Sequence, residues 1–316
     1  MPIRESYSYR LAELRHALDR AEYVVIGAGA GLSAAAGLEY SDRRFTDNFE
    51  DFIIRYGFTD MYTSSFYPFK TEEERWAYWA RHIRLNRYDE AGTELYRLLL
   101  QAVQQKEWFV ITTNVDGLFE KVGFDRERIF AVQGDYAYLQ CAEACHDRLY
   151  YNESLVYEMS RNTEDCRIPS SLVPRCPVCG SLMEVNLRKD GNFVQDAHWY
   201  ESHKRYQDFM QKACRRNTLF LELGVGYNTP AIIRFPFERM ASQADNITLV
   251  RINRDYAEKQ DPVPSFIPFR EDDRHTECTC WWFRKWIKTM YQTISSDNPY
   301  AEIRYSECIQ IANSNQ

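Results

Sequence analysis

Three groups of residues in this chain have types and spacings that could do chemistry. The first is a cysteine quartet: Cys141-x-x-x-Cys145 and Cys176-Pro-Val-Cys179, two short-spaced pairs about 30 residues apart. Four thiolates converging tetrahedrally make a closed structural zinc site, and Pro177 and Gly180 suit the tight turn such a site needs. His146 adjoins Cys145, but four thiolates already fill the shell, so it reads as a solvated side chain. The second group is Thr112-Thr113-Asn114-Val115-Asp116-Gly117-Leu118 with Phe130-Ala131-Val132-Gln133-Gly134-Asp135. An Asn amide can orient a water or a sugar hydroxyl, and an Asp can accept from an amide N–H. A Gln amide has no useful pKa near neutrality, so Gln133 can hydrogen-bond a hydroxyl but cannot take its proton. Alone, Asn-x-Asp-Gly would read as a turn. The third group is Val24-Val25-Ile26-Gly27-Ala28-Gly29-Ala30-Gly31-Leu32-Ser33-Ala34. Gly29-x-Gly31-x-x-Ala34 fits the dinucleotide fingerprint in its G-x-G-x-x-A form, in which backbone N–H groups meet a pyrophosphate at a helix start.

Those groups need elements to hold them. Residues 4–20 carry apolar positions at helical spacing, and Tyr23–Gly27 reads as a buried parallel strand ending in glycines. A helix should follow from about Leu32. Residues 39–70 are aromatic, rich in turn residues and poorly periodic, which predicts short helices and a loop over the site. Helices are expected over 72–86 and 90–105, and strands over Trp108–Thr113 and Arg128–Val132. From Leu139 to about Arg188, cysteines, prolines and short strands indicate an inserted module. Trp199–Cys214 reads as a helix, Thr218–Leu223 as a strand, Pro230–Ala241 as a helix and Asn246–Ile252 as a strand. An aromatic amphipathic helix over Cys278–Ile294 and an edge strand within Ile303–Ile311 close the list. Strands alternating with helices imply an α/β fold, a doubly wound, Rossmann-like parallel sheet whose ligand lies beyond the carboxyl ends of its strands. The expected organisation is a sheet domain over 1–138 and 215–295, a small zinc module over 139–190, a connecting helix over 191–214 and a tail over 296–316.

Composition narrows the function classes. The chain is 45% hydrophobic and 27% charged, with a formal charge of −7 and a pI near 5.5. That balance speaks against a nucleic-acid partner, which leaves a basic footprint. No apolar run approaches a membrane span, and Met1-Pro2-Ile3-Arg4-Glu5-Ser6 lacks the blocks of a signal peptide, so a cytoplasmic location is expected. Nine cysteines, unevenly spread, do not suggest a disulfide framework. Cys166, Cys214 and Cys278 read as core or surface thiols, and Cys278-Thr-Cys280 as ordinary packing at a helix start. A dehydrogenase would need an acidic residue ending a second strand about 20 positions after the glycines. Asp47, Glu50 and Asp51 lie nearby, but Asp47-Asn48-Phe49-Glu50-Asp51-Phe52 reads as a helix start.

In order and content, the glycine turn through Leu38, the Asn114-Val115-Asp116 run, the cysteine quartet and the Gln133-Gly134 pair resemble the NAD-dependent protein deacylases called sirtuins. The resemblance covers about residues 20–290. It implies that Gly29, Ala30, Gly31, Ser33 and Ala34 hold the pyrophosphate of NAD, and that Asn114 and Val115 line the nicotinamide ribose. Asp116 would take the carboxamide. Leu221-Glu222-Leu223-Gly224-Val225-Gly226 replaces the family's Gly-Thr-Ser, so Gly224, Val225 and Gly226 would line the adenosine end with Asn253 and Arg254. The family's Pro-Asp-Phe-Arg block is here Glu39-Tyr40-Ser41-Asp42-Arg43-Arg44-Phe45. The family's His-Gly pair supplies the catalytic base, and Gln133 stands in its place.

Without that base, nicotinamide can still leave through an oxocarbenium-like state, but collapse onto the ribose hydroxyl should fail. The outcome is transfer of ADP-ribose to a protein nucleophile. A microbial branch, class M, is similar at both Asn114 and Gln133. It implies a protein mono-ADP-ribosyltransferase linked with macrodomain hydrolases, with a lipoylated glycine-cleavage H-like carrier as acceptor. Two rivals remain open: a deacylase recruiting His82, His198 or His203 as base, and a non-catalytic sensor of NAD or ADP-ribose.

Overall fold

The computed structural model describes residues 7–255, 257 and 265–269. Six strands form one parallel sheet: β1 (Tyr23–Ala28), β2 (Glu107–Thr112), β3 (Ile129–Ala131), β7 (Thr218–Leu223), β8 (Ile247–Ile252) and β9 (Phe266–Phe269), in the order β3-β2-β1-β7-β8-β9. Between them in sequence, β4 (Gly134–Cys141), β5 (Tyr150–Tyr151) and β6 (Met183–Leu187) make a small antiparallel sheet.

Alternation along the strands sorts the large sheet's two faces. Val24, Ile26, Val110, Leu219 and Leu221 pack with Leu14 and Leu18 of the helix Tyr7–Arg20 and Leu95 and Leu99 of the helix Glu94–Val103. Val25, Phe109, Ile111, Phe220 and Leu249 face Met210 of the helix Ala197–Ala213 and Phe237 of the helix Arg234–Ser242. The doubly wound sheet is therefore present. The chain winds outward from β1 to β3 and then returns to β1's other edge with β7, so the order reverses between β1 and β7. In such sheets the ligand crevice lies beyond the carboxyl ends of the strands at the switch point, and a small cavity beyond β2 and β3 is lined by Asn114, Asp116, Gly134 and Asp135.

A second hydrophobic cluster draws on Phe45, Phe49, Phe52, Phe58, Trp76 and Tyr78 as well as on Tyr136, Cys141, Cys176 and Val185. The aromatic stretch 39–70 folds into the short helices Asp42–Thr46, Glu50–Tyr56 and Met61–Ser64, as its turn residues suggest. Its aromatics are not a loose cover. Phe52 and Phe58 stack at 6.2 Å and both meet the Tyr78 ring edge-on at 5.7 Å, so the segment is anchored in a core. The helix Glu72–Ile83 runs on into a π-helical turn, Arg84–Tyr88, which carries it two residues past the single helix expected over 72–86. Strand β9 was not anticipated. Pro268 has no N–H for the ladder, which is tolerated at β9 because among the described residues it is the edge strand. The helix and edge strand expected over Cys278–Ile294 and Ile303–Ile311 lie outside the described residues.

Candidate active site and zinc centre

Asn114 and Asp116 follow the carboxyl end of β2 and are 9% and 7% exposed. The Thr112 hydroxyl accepts the Asn114 N–H at 3.0 Å and donates to the Ala28 carbonyl, tying the loop to β1. The amide nitrogen of Asn114 donates to the Gly29 carbonyl at 3.0 Å and to Ser33 Oγ at 3.1 Å. Because a carbonyl only accepts, this fixes the amide's orientation and leaves Asn114 Oδ1 as an acceptor for a ligand. Ser33 Oγ donates to Asp116 Oδ2 at 2.6 Å, so the Tyr96 hydroxyl 2.9 Å away must donate to Ser33. The other Asp116 oxygen accepts the Leu118 N–H at 3.0 Å. Burial raises the Asp116 carboxyl above the ordinary aspartate range, against the hydrogen bonds from Ser33 and Leu118 that hold it down. Tyr96 was missed by the sequence reading, since it sits in an apolar helical stripe and looks like core.

The glycine turn meets β7 rather than open space. Gly29 N–H donates to the Leu223 carbonyl and Gly31 N–H to Gly224, each at 3.0 Å. Gly224 has φ +62, and a Cβ there would stand 2.3 Å from the Leu32 nitrogen. These glycines let two backbones touch at the switch point. Their two N–H groups are therefore spent on β7, where the sequence reading aims them at a pyrophosphate. The Ser33 hydroxyl is likewise committed inside the Asn114–Asp116 network, while Ala30 is exposed at the helix start and Ala34 lies one turn on, half-buried.

On the far side of the crevice, the Val225 carbonyl accepts from Asn253 Nδ2 at 2.8 Å and from Arg234 Nη1 at 3.2 Å. Gly226 is exposed beside them, and Arg254 pairs at the rim with Asp255 at 3.1 Å. Beneath this turn lies a group of charges the sequence reading did not find. Glu222 accepts from Arg251 through both carboxylate oxygens at 2.7 and 2.8 Å, and Arg251 also reaches Glu238 at 2.7 Å. Arg234 stands 3.5 Å from Glu222 and over the Tyr227 ring at 4.4 Å.

Gln133 occupies the turn between β3 and β4 and is half-buried. Its carbonyl accepts the Arg188 N–H at 3.0 Å, and among the described residues its side-chain amide has no hydrogen-bond partner. Gly134 next to it has φ +98, and a Cβ there would meet the Asn186 carbonyl at 2.0 Å. Asp135 then closes on Arg87 in a two-pronged pair at 2.7 and 3.1 Å. A surface cavity of about 260 Å³ opens at the opposite, amino end of the strands, beside Thr218 and Asn246, and holds none of these groups.

Cys141, Cys145, Cys176 and Cys179 do converge, with all four sulfurs within 4.8 Å of one another. Cys141 and Cys179 are 3.5 Å apart, and Cys145 and Cys176 3.7 Å. A tetrahedron built on Zn–S bonds of about 2.3 Å has edges of roughly 3.8 Å, so the quartet fits zinc. His146 is half-buried rather than solvated. Its Nε2 sits 3.2 Å from the Tyr150 hydroxyl and 3.5 Å from Cys176 Sγ, a place behind the thiolates.

Residues 29–213 match the model of the Sir2 family. A protein of Staphylococcus aureus strain Mu50 named "Protein ADP-ribosyltransferase" is 39% identical over 242 residues, 76% of this chain and 77% of the relative. The chain belongs to the Sir2 family. A second relative, from Fusarium oxysporum f. sp. cubense, is named "Probable bifunctional ADP-ribose hydrolase/ADP-ribosyltransferase". It is 32% identical over 79% of this chain, which spans 43% of that longer protein. The fold also matches a mutant Sir2 homologue in complex with ADP-ribose, at TM-score 0.52 and 15% identity over 90% of this chain and 97% of that one. A Sir2 mutant with a p53 peptide and NAD matches at 0.51, with 18% identity over 88% and 98%.

The 39–45 block has a physical account, and so have the histidines that could serve as an alternative base. Arg44 of the altered 39–45 block donates to Asn86 Oδ1 at 2.8 Å and to the Leu85 carbonyl at 2.9 Å, and Phe45 is buried in the aromatic cluster. The block is thereby fastened to the π-helical turn. Among the alternative bases, His82 is buried among tyrosines, and burial together with Arg44 pushes its pKa down to about 3. His203 packs on Phe130 and Trp199 at 5.3 and 5.4 Å, and His198 begins the same helix. Among the described residues, no helix is long and apolar enough to cross a membrane.

Proposed function

We propose that this chain is an NAD-dependent protein mono-ADP-ribosyltransferase that releases nicotinamide and passes ADP-ribose to a protein acceptor. The observation that carries the reading is the fixed acceptor pair of Asn114 and Asp116 beside a turn whose family histidine is Gln133. Asn114 Oδ1 can hold a ribose hydroxyl, and Asp116 can hold the carboxamide N–H of the leaving nicotinamide. Held in place beforehand, such groups lower the barrier to departure without reorganisation. Gln133 can bond the ribose but takes no proton, so the acceptor's own nucleophile completes the reaction. Ala30 and Ala34, with the backbone approach that Gly29 and Gly31 allow, would border the pyrophosphate. Ser33 would act by fixing Asn114 and Asp116. Val115, Gly224, Val225, Gly226, Asn253 and Arg254 would line the ribose and adenosine ends. Zinc would hold Cys141, Cys145, Cys176 and Cys179 together as a closed structural centre with no part in the chemistry.

The names of the two curated relatives support the reaction class. For the acceptor we favour a lipoylated glycine-cleavage H-like carrier, which rests on the class M resemblance. A functional link to a macrodomain hydrolase is supported by the longer relative, whose name joins hydrolase and transferase. The depressed pKa of His82 weakens the deacylase reading, because a group neutral down to about 3 is a poor proton acceptor at pH 7.

The test is Asn114→Ala. Transfer from NAD should fall by at least about a hundredfold. The melting temperature and ADP-ribose binding report whether the fold and cleft persist. Transfer at the wild-type rate in that variant would overturn the assignment.

A further inference from the structure

A line of hydrogen bonds leads from the segment after the glycine turn into the aromatic cluster. Tyr40 Oη lies 3.2 Å from Tyr136 Oη, which lies 2.9 Å from His82 Nε2. His82 Nδ1 is 3.3 Å from Tyr78 Oη, which is 2.6 Å from the Met61 carbonyl oxygen. The last bond sets the direction of all the others. A carbonyl only accepts, so Tyr78 gives its one proton to Met61. His82 Nδ1 must then carry a hydrogen and donate to Tyr78. The buried imidazole is neutral, so Nε2 is bare and accepts from Tyr136. Tyr136, its proton given away, accepts from Tyr40. The Tyr40 oxygen is left with lone pairs and no proton to offer a ligand.

This oxygen lies close enough to Asp116 to feel its charge, which puts it near the proposed nicotinamide end. Tyr136 N–H donates to the Val115 carbonyl at 3.0 Å, between Asn114 and Asp116. Burial pushes Tyr40 up to about 12 against the Tyr136 contact that holds it down, with the nearby Asp116 charge adding to the rise, so the phenol keeps its proton at neutral pH. The segment is also held still: Met61 N–H donates to the Tyr40 carbonyl at 2.8 Å, and the Tyr40 ring meets His82 edge-on at 5.5 Å. Asp116 when ionised likewise offers only acceptors.

We propose that Tyr40 is a specificity-determining residue of the dinucleotide site, an oriented acceptor that works with Asp116 to select a carboxamide over a carboxylate. The carboxamide brings two N–H donors and the carboxylate none. This rests on the reading that Asp116 faces the nicotinamide, and it assigns a role to the segment where this chain departs from its family.

The experiment is calorimetric titration of the full chain with NAD, with its deamidated analogue (a carboxylate in place of the carboxamide) and with ADP-ribose. The wild type should prefer NAD to the analogue by tenfold or more, two hydrogen bonds being lost with the amide, by estimate about that much. Tyr40→Phe should weaken NAD by roughly three- to tenfold and leave ADP-ribose unchanged. Tyr136→Phe leaves Tyr40 its ring but frees its proton to turn toward the ligand, so the preference for NAD should narrow, again with ADP-ribose unchanged. A merely structural role would weaken ADP-ribose and NAD alike, and that result overturns the proposal. So does a preference unchanged in both variants. A wild type that binds none of the three ligands overturns the dinucleotide site itself, a failure distinct from that of Tyr40.

Discussion

In the proposed reaction, a glutamine at position 133 changes which protons the crevice can move. In the proposed reading the groups around the reacting end are an amide oxygen on Asn114, a carboxylate on Asp116 and a neutral carboxamide on Gln133, and the His82 imidazole is locked into a tyrosine chain. Gln133→His would return the family's residue type, but it would not return the family's surroundings. The turn's carbonyl accepts from Arg188, and the Arg188 guanidinium stands over Trp199, which itself donates to the Val132 carbonyl. The turn is pinned through its backbone on both sides, so the direction of a side chain at 133 is set by contacts the substitution leaves unchanged. Gln133→His should therefore form no acyl-ADP-ribose from NAD and an acetylated peptide, measured by mass spectrometry. Acyl-ADP-ribose at a rate comparable with transfer would show that the base was the one missing part. The types and spacing of Asn114, Asp116 and Gln133 were legible in the sequence because each sits next to a glycine or a strand end. The direction of their hydrogen bonds was not, because it depends on Tyr96 and Ser33, 18 and 81 residues from Asn114.

Among the elements, β7 carries the least expected load. Leu221-Glu222-Leu223 alternates like any strand, and nothing in one sequence says that its glutamate is fully buried. Its partners Arg234, Glu238 and Arg251 come from a helix and a strand further along, so the match is made only in three dimensions. Two positive and two negative groups close on one another under the Gly224–Tyr227 turn, which ties β7, β8 and the helix Arg234–Ser242 into one unit. Removing one partner strands a buried charge, and that is far costlier than losing a surface pair. Arg251→Ala should lower unfolding free energy by about 3–5 kcal/mol, read from urea denaturation. A loss below about 1 kcal/mol would show that water reaches these charges and that the burial is not real. The aromatic stretch 39–70 was legible only as short helices. Its rings pack by contact rather than by period, so their role as an anchored core rather than a cover had no signature in the sequence.

For the whole molecule, alternating strands and helices announced the doubly wound sheet, while the strand order, and with it the switch point between β1 and β7 where the glycine turn lies, is set only in three dimensions. The build of the second cluster was hidden, because it joins two stretches separated by β2 and β3. Zinc would pin the later stretch to itself through Cys141 and Cys176, both buried in that cluster. Native mass spectrometry should find one zinc per chain. Its removal by a strong chelator should expose the aromatic cluster to a hydrophobic dye, since metal binding and folding are one process in such modules. A metal-free chain with an unchanged melting curve would contradict that role. The central claim is a change of reaction on a retained scaffold, and one measurement tests it most directly. The purified chain is incubated with labelled NAD and a lipoylated carrier protein, and released nicotinamide and protein-bound label are counted together, with Asn114→Ala alongside. The account predicts equal amounts of nicotinamide and protein-linked ADP-ribose from the wild type, and neither from the variant. Nicotinamide released with acyl-ADP-ribose as the product, and no label on protein, would contradict it.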